Sequence, residues 1–441
     1  MKKKIIMTLL SVVSVFNLLA GCGSNTVGGD IPVRDEIADT QEENVEEVVE
    51  LSKENSQDVV DIDYNIATYQ PVQEFGFSLF KENIQETNPV LSPVSAYIAL
   101  TMASEGAEGN TKQEFQNVLG AKEDMTVMSY SMMHTLPQDT ESLTVELANS
   151  AWIDNEFTVK DEWIGKITSF YDAQAFQTDV SSVEAMNAIN EWVESNTHEL
   201  IQQMIEKPLE KETRMVLFNT LYFNGKWQNP FMLETTFEEE FHVSDSETIQ
   251  VPMMHQYDEN YEFFENDYLK GIVMPYRDGN LSFVAMLPQG DRTIREVAAN
   301  LSASGLSDIL SERAYQIVNI KLPKFEVSFD KILNESLQDM GLVDAFDEEK
   351  ADFSSIGTTD SGYPIYISLV RQKAVVKVDE EGTEAAAATE VAIMESAALL
   401  EEEPIEMYFD QPFLYMIMDM ETELPLFMGI MDNPVAESIQ V

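Results

Sequence analysis

A single cysteine, Cys22, stands in 441 residues, which excludes a disulfide within the chain and any zinc site built on cysteine pairs. Histidine is almost as scarce. His134, His198, His242 and His255 are the whole supply, and no Gly-x-Ser-x-Gly elbow accompanies them. The stretch "HELIQ" beginning at His198 misses the zinc pattern His-Glu-x-x-His, because Gln202 holds the place of the second histidine. His198 therefore reads as a solvated residue on a polar helix face. No Walker loop and no Gly-x-Gly-x-x-Gly occurs, so nothing supports catalysis, a metal or a cofactor. Positive charge is the other shortage. With 26 Lys and Arg against 79 Asp and Glu, the net charge of -53 repels polyphosphate and excludes a nucleic-acid partner. The acidity itself reads as solubility.

The apolar run from Ile5 to Ala20 opens the chain, behind Lys2, Lys3 and Lys4. It falls short of the ~20 residues a membrane span needs and has the form of an export signal. It ends in Leu19-Ala20-Gly21-Cys22, which resembles the lipobox of bacterial lipoproteins. That resemblance implies removal of residues 1–21 and lipidation of Cys22. The chain would then be exported and anchored to a bacterial envelope, its folded part facing outward or into the periplasm. From Gly23 to Asp63 there are 13 Asp or Glu against Arg34 and Lys53, and no aromatic residue. Such a segment buries too little apolar surface to offset its ordering entropy. Residues 22–64 are expected to be an acidic disordered tether, with a short amphipathic helix around "EENVEEVVELSKE" as the alternative.

Order is expected from residue 65 to 441, as one domain. "PVQEFGFSLFKENIQ" places Phe75, Leu79 and Phe80 on one helical face, and "EAMNAINEWVESNTHELIQQMI" does the same with Met186, Ile189, Trp192 and Val193. Strand patterns follow in "RMVLFNTLYFNGKW", "LSFVAMLP", "QIVNIKLPKFEVSF" and "PFLYMIMD", the last turning into "PLFMGIMDNP". Helices dominate the first part and strands the second, which predicts an α+β fold with large, mainly antiparallel sheets.

One late stretch fits neither pattern: "EEGTEAAAATEVAIMES", Glu380 to Ser396. Four consecutive alanines favour a helix. Alternate residues tell a second story, with Thr383, Ala385, Ala387, Thr389, Val391 and Ile393 uncharged on one side and both Glu384 and Glu390 on the other. That is the period of a strand with one buried face. Both readings are open on these residues alone.

Six segments in order decide between them. "NPVLSPVSAYIALTMASEGAEGNTKQEF", "LFNTLYFNGKWQNPF", "VPMMHQ", "LPKFEVSFDKILNESLQDMGLVDAFDEEKADFSSI", "KAVVKVDEEGTEAAAAT" and "DQPFLYMIMDMETELPLFMGIMDNP" resemble the serpin family of serine protease inhibitors, over roughly residues 66–435. The resemblance implies a serpin fold with an exposed reactive-centre loop at about 380–406. A protease cuts the loop as bait, and its hinge end inserts into the central sheet, the strand addition and strain release for which serpins are a standard example. The hinge residues would be Glu380, Gly382, Thr383, Ala385, Ala387 and Thr389. Gly382 lacks a Cβ and so permits the backbone swing that starts insertion.

Other positions carry over one at a time. Ser92, Ser95 and Asn219 match the family's shutter, where the sheet parts, although the serines also suit helix caps. The usual shutter histidine is replaced by Gln372, which can donate and accept. Trp227, Lys324 and Glu380 match the breach, where the loop first enters; Trp227 also suits a plain core position. Counting seventeen residues with Glu380 as the first, the resemblance puts the scissile carbonyl on Ser396, before Ala397, with Met394, Glu395 and Ala397 itself as alternatives. Small residues there suit a serine protease with a shallow apolar pocket of elastase type. The partners implied are such proteases and, through Cys22, a membrane; the chain is expected to be a monomer. A non-inhibitory serpin-fold binding protein and a solute-binding surface lipoprotein remain as rivals.

Overall fold

Alternation along "RMVLFNTLYFNGKW" becomes a long strand, Met215–Lys226, at the middle of the molecule. In the computed structural model, residues 48–52, 66–120, 125–211, 213–359, 365–383 and 403–435 are described. The side chains of Val216 and Phe218 point to one face of the strand and join a small cluster under the helix Val183–Ser195, with Ile189, Trp192 and Val193. Met215, Leu217 and Leu221 point to the other face and pack on the main core. The expected period of two is thus used on both faces.

Among the described residues the Met215–Lys226 strand belongs to an eight-stranded sheet. Leu143–Asp154 pairs antiparallel on one side of it. On the other side come the two-residue strand Gly382–Thr383, then Arg371–Val378, then Phe325–Ile332. Arg371 clamps Asp330 across the last pair with two hydrogen bonds of 2.6 Å, a charge-assisted bidentate contact. A nine-stranded sheet runs through Ala314–Pro323, Glu247–Glu265, Leu269–Pro275, Leu281–Pro288, Phe413–Asp419 and Leu424–Met431. The helix Pro93–Ser104, almost wholly buried, packs against both the Met215–Lys226 and the Leu424–Met431 strands. Its start follows from Ser92 at the cap and Pro93 in the first turn.

"QIVNIKLPKFEVSF" is two strands, not one. Ala314–Pro323 lies in the nine-stranded sheet and Phe325–Ile332 in the other, so Lys324 is the single residue between sheets. Its N–H bonds to the carbonyl of Pro252 at 2.9 Å.

Two expectations need correcting. The stretch 22–64 is not tether throughout, because Val49–Glu50 forms an edge strand on Gln174–Thr178. The Leu51 N–H reaches the Ala175 carbonyl at 2.7 Å, and the Ala175 N–H reaches Ser52 Oγ at 2.8 Å. Val48 and Leu51 pack against the two cores. The acidic composition hid a Val/Leu pattern able to satisfy an open sheet edge. His198 is not on a helix face either. The helix ends at Ser195, and His198 and Glu199 take the left-handed backbone. From there His198 meets Glu146 at 3.0 Å and tilts over Tyr222.

Candidate functional site

The two sheets meet where the Met215–Lys226 strand ends. Trp227, the next residue, is buried, stacks on Tyr276 at 4.8 Å and donates its indole N–H to the Asp379 carbonyl at 2.9 Å. Asp379 ends the Arg371–Val378 strand and turns the chain: its Oδ1 accepts from the N–H groups of Glu381 and Gly382, and its own N–H bonds the Gly382 carbonyl at 2.9 Å. An aspartate that bonds the backbone two and three residues on is a tight turn of ordinary design.

The turn delivers Gly382–Thr383 between two strands. Gly382 pairs with Lys226, and Thr383 pairs with Gly225 on one side and Val378 on the other, all antiparallel. The flanking strands are therefore parallel to each other, and no ladder joins them directly among the described residues. A Cβ at Gly382 would lie 2.0 Å from the Gly225 carbonyl oxygen. Glycine is needed here for close backbone approach, in addition to the freedom of swing read from the sequence. Thr383 is buried and bonds the Tyr276 hydroxyl at 2.6 Å.

Glu380 sits beside this pair, 7% exposed. Lys324 Nζ meets one carboxylate oxygen at 2.7 Å and Thr236 Oγ1 donates to the other at 2.9 Å. Burial pushes the Glu380 carboxyl up, but the Lys324, backbone and Thr236 hydrogen bonds outweigh it and hold it below the usual range. The three breach residues Trp227, Lys324 and Glu380 thus converge on the turn. Tyr276, Thr236, Asp379 and Gly225 complete the arrangement; Gly225 and Asp379 lie inside two of the segments that resemble the family, whereas nothing in the sequence marked Tyr276 or Thr236. Those two act by long-range contact, without a motif of their own.

The shutter residues converge only in part. Ser92 Oγ caps the buried helix by accepting from the Ser95 N–H at 3.2 Å. Gln372 accepts from the Ser92 N–H at 3.0 Å and donates to the Ser92 carbonyl at 2.9 Å, using both capacities of its amide. Asn219 instead donates to Asn149 Oδ1 on the adjoining strand at 2.7 Å, and its own Oδ1 has no partner among the described residues. Farther along the same gap an apolar cavity of about 40 Å³ opens between Met215 and Leu217 on one side and Ile367 and Val370 on the other, floored by Leu100. The hinge positions Ala385, Ala387 and Thr389, the bond candidates Met394, Glu395, Ser396 and Ala397, and Cys22 lie outside the described residues.

Residues 70–434 match the serpin (serine protease inhibitor) family. The chain belongs to the serpin family. It is 35% identical over 370 residues to an uncharacterized serpin-like protein of Thermococcus kodakarensis, covering 82% of this chain and 85% of that one. It is 32% identical to a serine protease inhibitor of Cyanea capillata, covering 80% and 93%. Among solved structures it is similar to the thermophilic serpin tengpin in the native state, with a TM-score of 0.80 at 29% identity, covering 88% of this chain and 99% of that one. Against tengpin in the latent state the TM-score is 0.72 at 31% identity, covering 84% and 98%. Thyroxine-binding globulin complexed with thyroxine gives 0.74 at 27% identity, covering 84% and 100%. The fold is the serpin fold, α+β, and serpins are in general inhibitors of serine proteases and not catalysts.

Proposed function

We propose that this serpin is an irreversible suicide inhibitor of serine proteases, with an elastase-like primary pocket as its target. The observation that carries the reading is the Gly382–Thr383 pair, already laid between two parallel strands that no ladder joins. Extending that pair along the gap makes every neighbouring pairing antiparallel, the slightly more stable arrangement. About 14 inserted residues at ~3.3 Å each carry a tethered acyl-enzyme roughly 45 Å. The uncharged alternate side chains from Ala385 to Ile393 suit the inward face, and the cavity beside Leu217 and Ile367 offers apolar lining farther down. Residues 384–402 contain no Lys or Arg, and Ser396–Ala397 offers the small side chains that a shallow pocket accepts.

Incubation with pancreatic or neutrophil elastase, followed by denaturing electrophoresis, tests the proposal. A band at the summed mass that survives SDS is the expected result. Clipped chain with no such band would reject inhibition and favour a binding role, of the kind that thyroxine-binding globulin has for thyroxine.

The anchor is a second part of the proposal. Cys22 follows small residues at the end of the apolar run, and lipidation there holds the domain on a bacterial envelope by acyl burial at ~0.8 kcal/mol per CH₂. In a host that processes lipoproteins, the wild type is expected in the membrane fraction and Cys22→Ala in the soluble fraction with unchanged inhibition. Wild-type protein found wholly soluble would replace anchoring with secretion.

A further inference from the structure

Directly after Trp227, against the nine-stranded sheet, lies a polar pocket of about 450 Å³ that is half-open to solvent. Gln228 and Asn229 form one wall, directly after Trp227, and the turns carrying Asn280 and Glu421 form another. Adjacent strands supply the floor: Tyr315 pairs with Glu262, and Glu262 with Val273, so these three side chains share a face.

The chemistry of the lining narrows the ligand. No Lys, Arg or His lines the pocket, whereas Glu262 and Glu421 do, so an anion is disfavoured. Arg313 holds Glu262 at 2.9 Å and Asn280 Nδ2 holds Glu421 at 2.7 Å, so neither carboxylate calls strongly for a cation. The carboxamides of Gln228 and Asn260 are exposed to solvent at the pocket and make no hydrogen bond to a described residue. Each offers two donors and an acceptor. Tyr315 stands 66% exposed at the rim, an aromatic surface with a polar tip at little entropic cost. A ligand that complements this set is uncharged, carries groups that both donate and accept, and presents an apolar C–H face to a ring.

We propose that this pocket binds a neutral saccharide, with the Tyr315 ring stacked on one sugar face and Gln228, Asn260 and Asn280 meeting its hydroxyls. None of the lining residues falls within 380–406. It nonetheless touches the breach, because the Gln228 N–H bonds the Pro275 carbonyl at 2.9 Å and Trp227 bridges to Tyr276. Ligand binding is therefore readable in tryptophan fluorescence.

The test titrates the full chain with maltohexaose and cellohexaose, followed by calorimetry and tryptophan fluorescence, with a heparin hexasaccharide as the sulfated probe. Saturable binding of at least one neutral hexasaccharide is expected, with Tyr315→Ala weakening it about tenfold, the order of one lost ring contact. Tyr315→Phe should restore it, and Asn260→Ala should weaken it independently. Tyr315 is exposed, so an unchanged melting curve and unchanged elastase complex are expected for Tyr315→Ala, which keeps this test apart from that of the inhibitor. The proposal is overturned if neither neutral hexasaccharide binds at about 10 mM, far above a useful dissociation constant. Binding that ignores both substitutions overturns it too, as does a Tyr315-dependent preference for the sulfated probe.

Discussion

Thr383 meets two demands at one position: its hydroxyl must satisfy Tyr276 in a buried place, and its backbone must pair on both sides. Arginine there would bring an unpaired charge into the sheet at a cost of several kcal/mol, about the penalty for burying an unsatisfied polar group or more. Thr383→Arg is expected to lift the hinge out of the gap and slow insertion below deacylation, so that the protease turns the variant over as a substrate. Stoichiometry of inhibition against elastase reads this directly, and undiminished inhibition would remove Thr383 from the inserted face. Glu380 gives a pH dependence. Its folded pKa is depressed below the ordinary value of 4.5, so its contribution to stability is full above that value and fades as pH falls through the lower, folded one. Acid in this range should loosen the Lys324 and Thr236 contacts. Glu380→Gln should flatten that part of the pH–stability curve while leaving the neutral side sloped as before. The sequence named Thr383, Gly382 and Glu380 because they lie in one contiguous stretch with a family likeness. It could not name Tyr276 or Thr236, whose roles exist only once strands distant in sequence are brought side by side.

Elements show the same division between local and distant causes. Apolar runs such as "LSFVAMLP" announced a strand at Leu281–Pro288 to the residue, because burial on both faces leaves a nearly continuous apolar mark. "QIVNIKLPKFEVSF" announced strands but not the change of sheet at Lys324, which depends on where Pro252 lies. Val49–Glu50 was hidden altogether, since a two-residue edge strand in an acidic background has no period to detect. That strand closes backbone groups of Ala175 that would otherwise face water. Deleting residues 1–52 is expected to cost about 1–3 kcal/mol, from two hydrogen bonds and the partly buried Val48 and Leu51. The measurement is the denaturant midpoint of the shortened chain beside that of the chain cut only at residue 21. Equal midpoints would mean that the edge strand contributes nothing.

At the scale of the molecule, the strands flanking Gly382–Thr383 leave a place between them that no other described residue fills. On the proposed mechanism, filling that place would add on the order of ten hydrogen bonds at ~1 kcal/mol net each, and the uninserted fold would be held by a barrier and not by depth. Nicking between residues 384 and 402 with a protease that does not stay bound should therefore make the protein more stable, against the usual effect of a cut. Scanning calorimetry before and after such a nick is the check: a higher unfolding temperature supports insertion, and an unchanged or lower one excludes it. The serpin fold was legible in the sequence because six separated segments kept their order. The degree to which the hinge already lies in the sheet was not legible, since one sequence serves both the open and the filled arrangement.

The amide of Gln372 ties the edge of the opening to the cap of the buried helix through both backbone groups of Ser92. Any parting of the Arg371–Val378 strand from that cap has to break both bonds. If the loop inserts as proposed, the pair acts as a shear pin, opposing the parting of the sheet until both bonds break. On the proposed mechanism, the pace at which the sheet opens would then rest in part on one glutamine, Gln372.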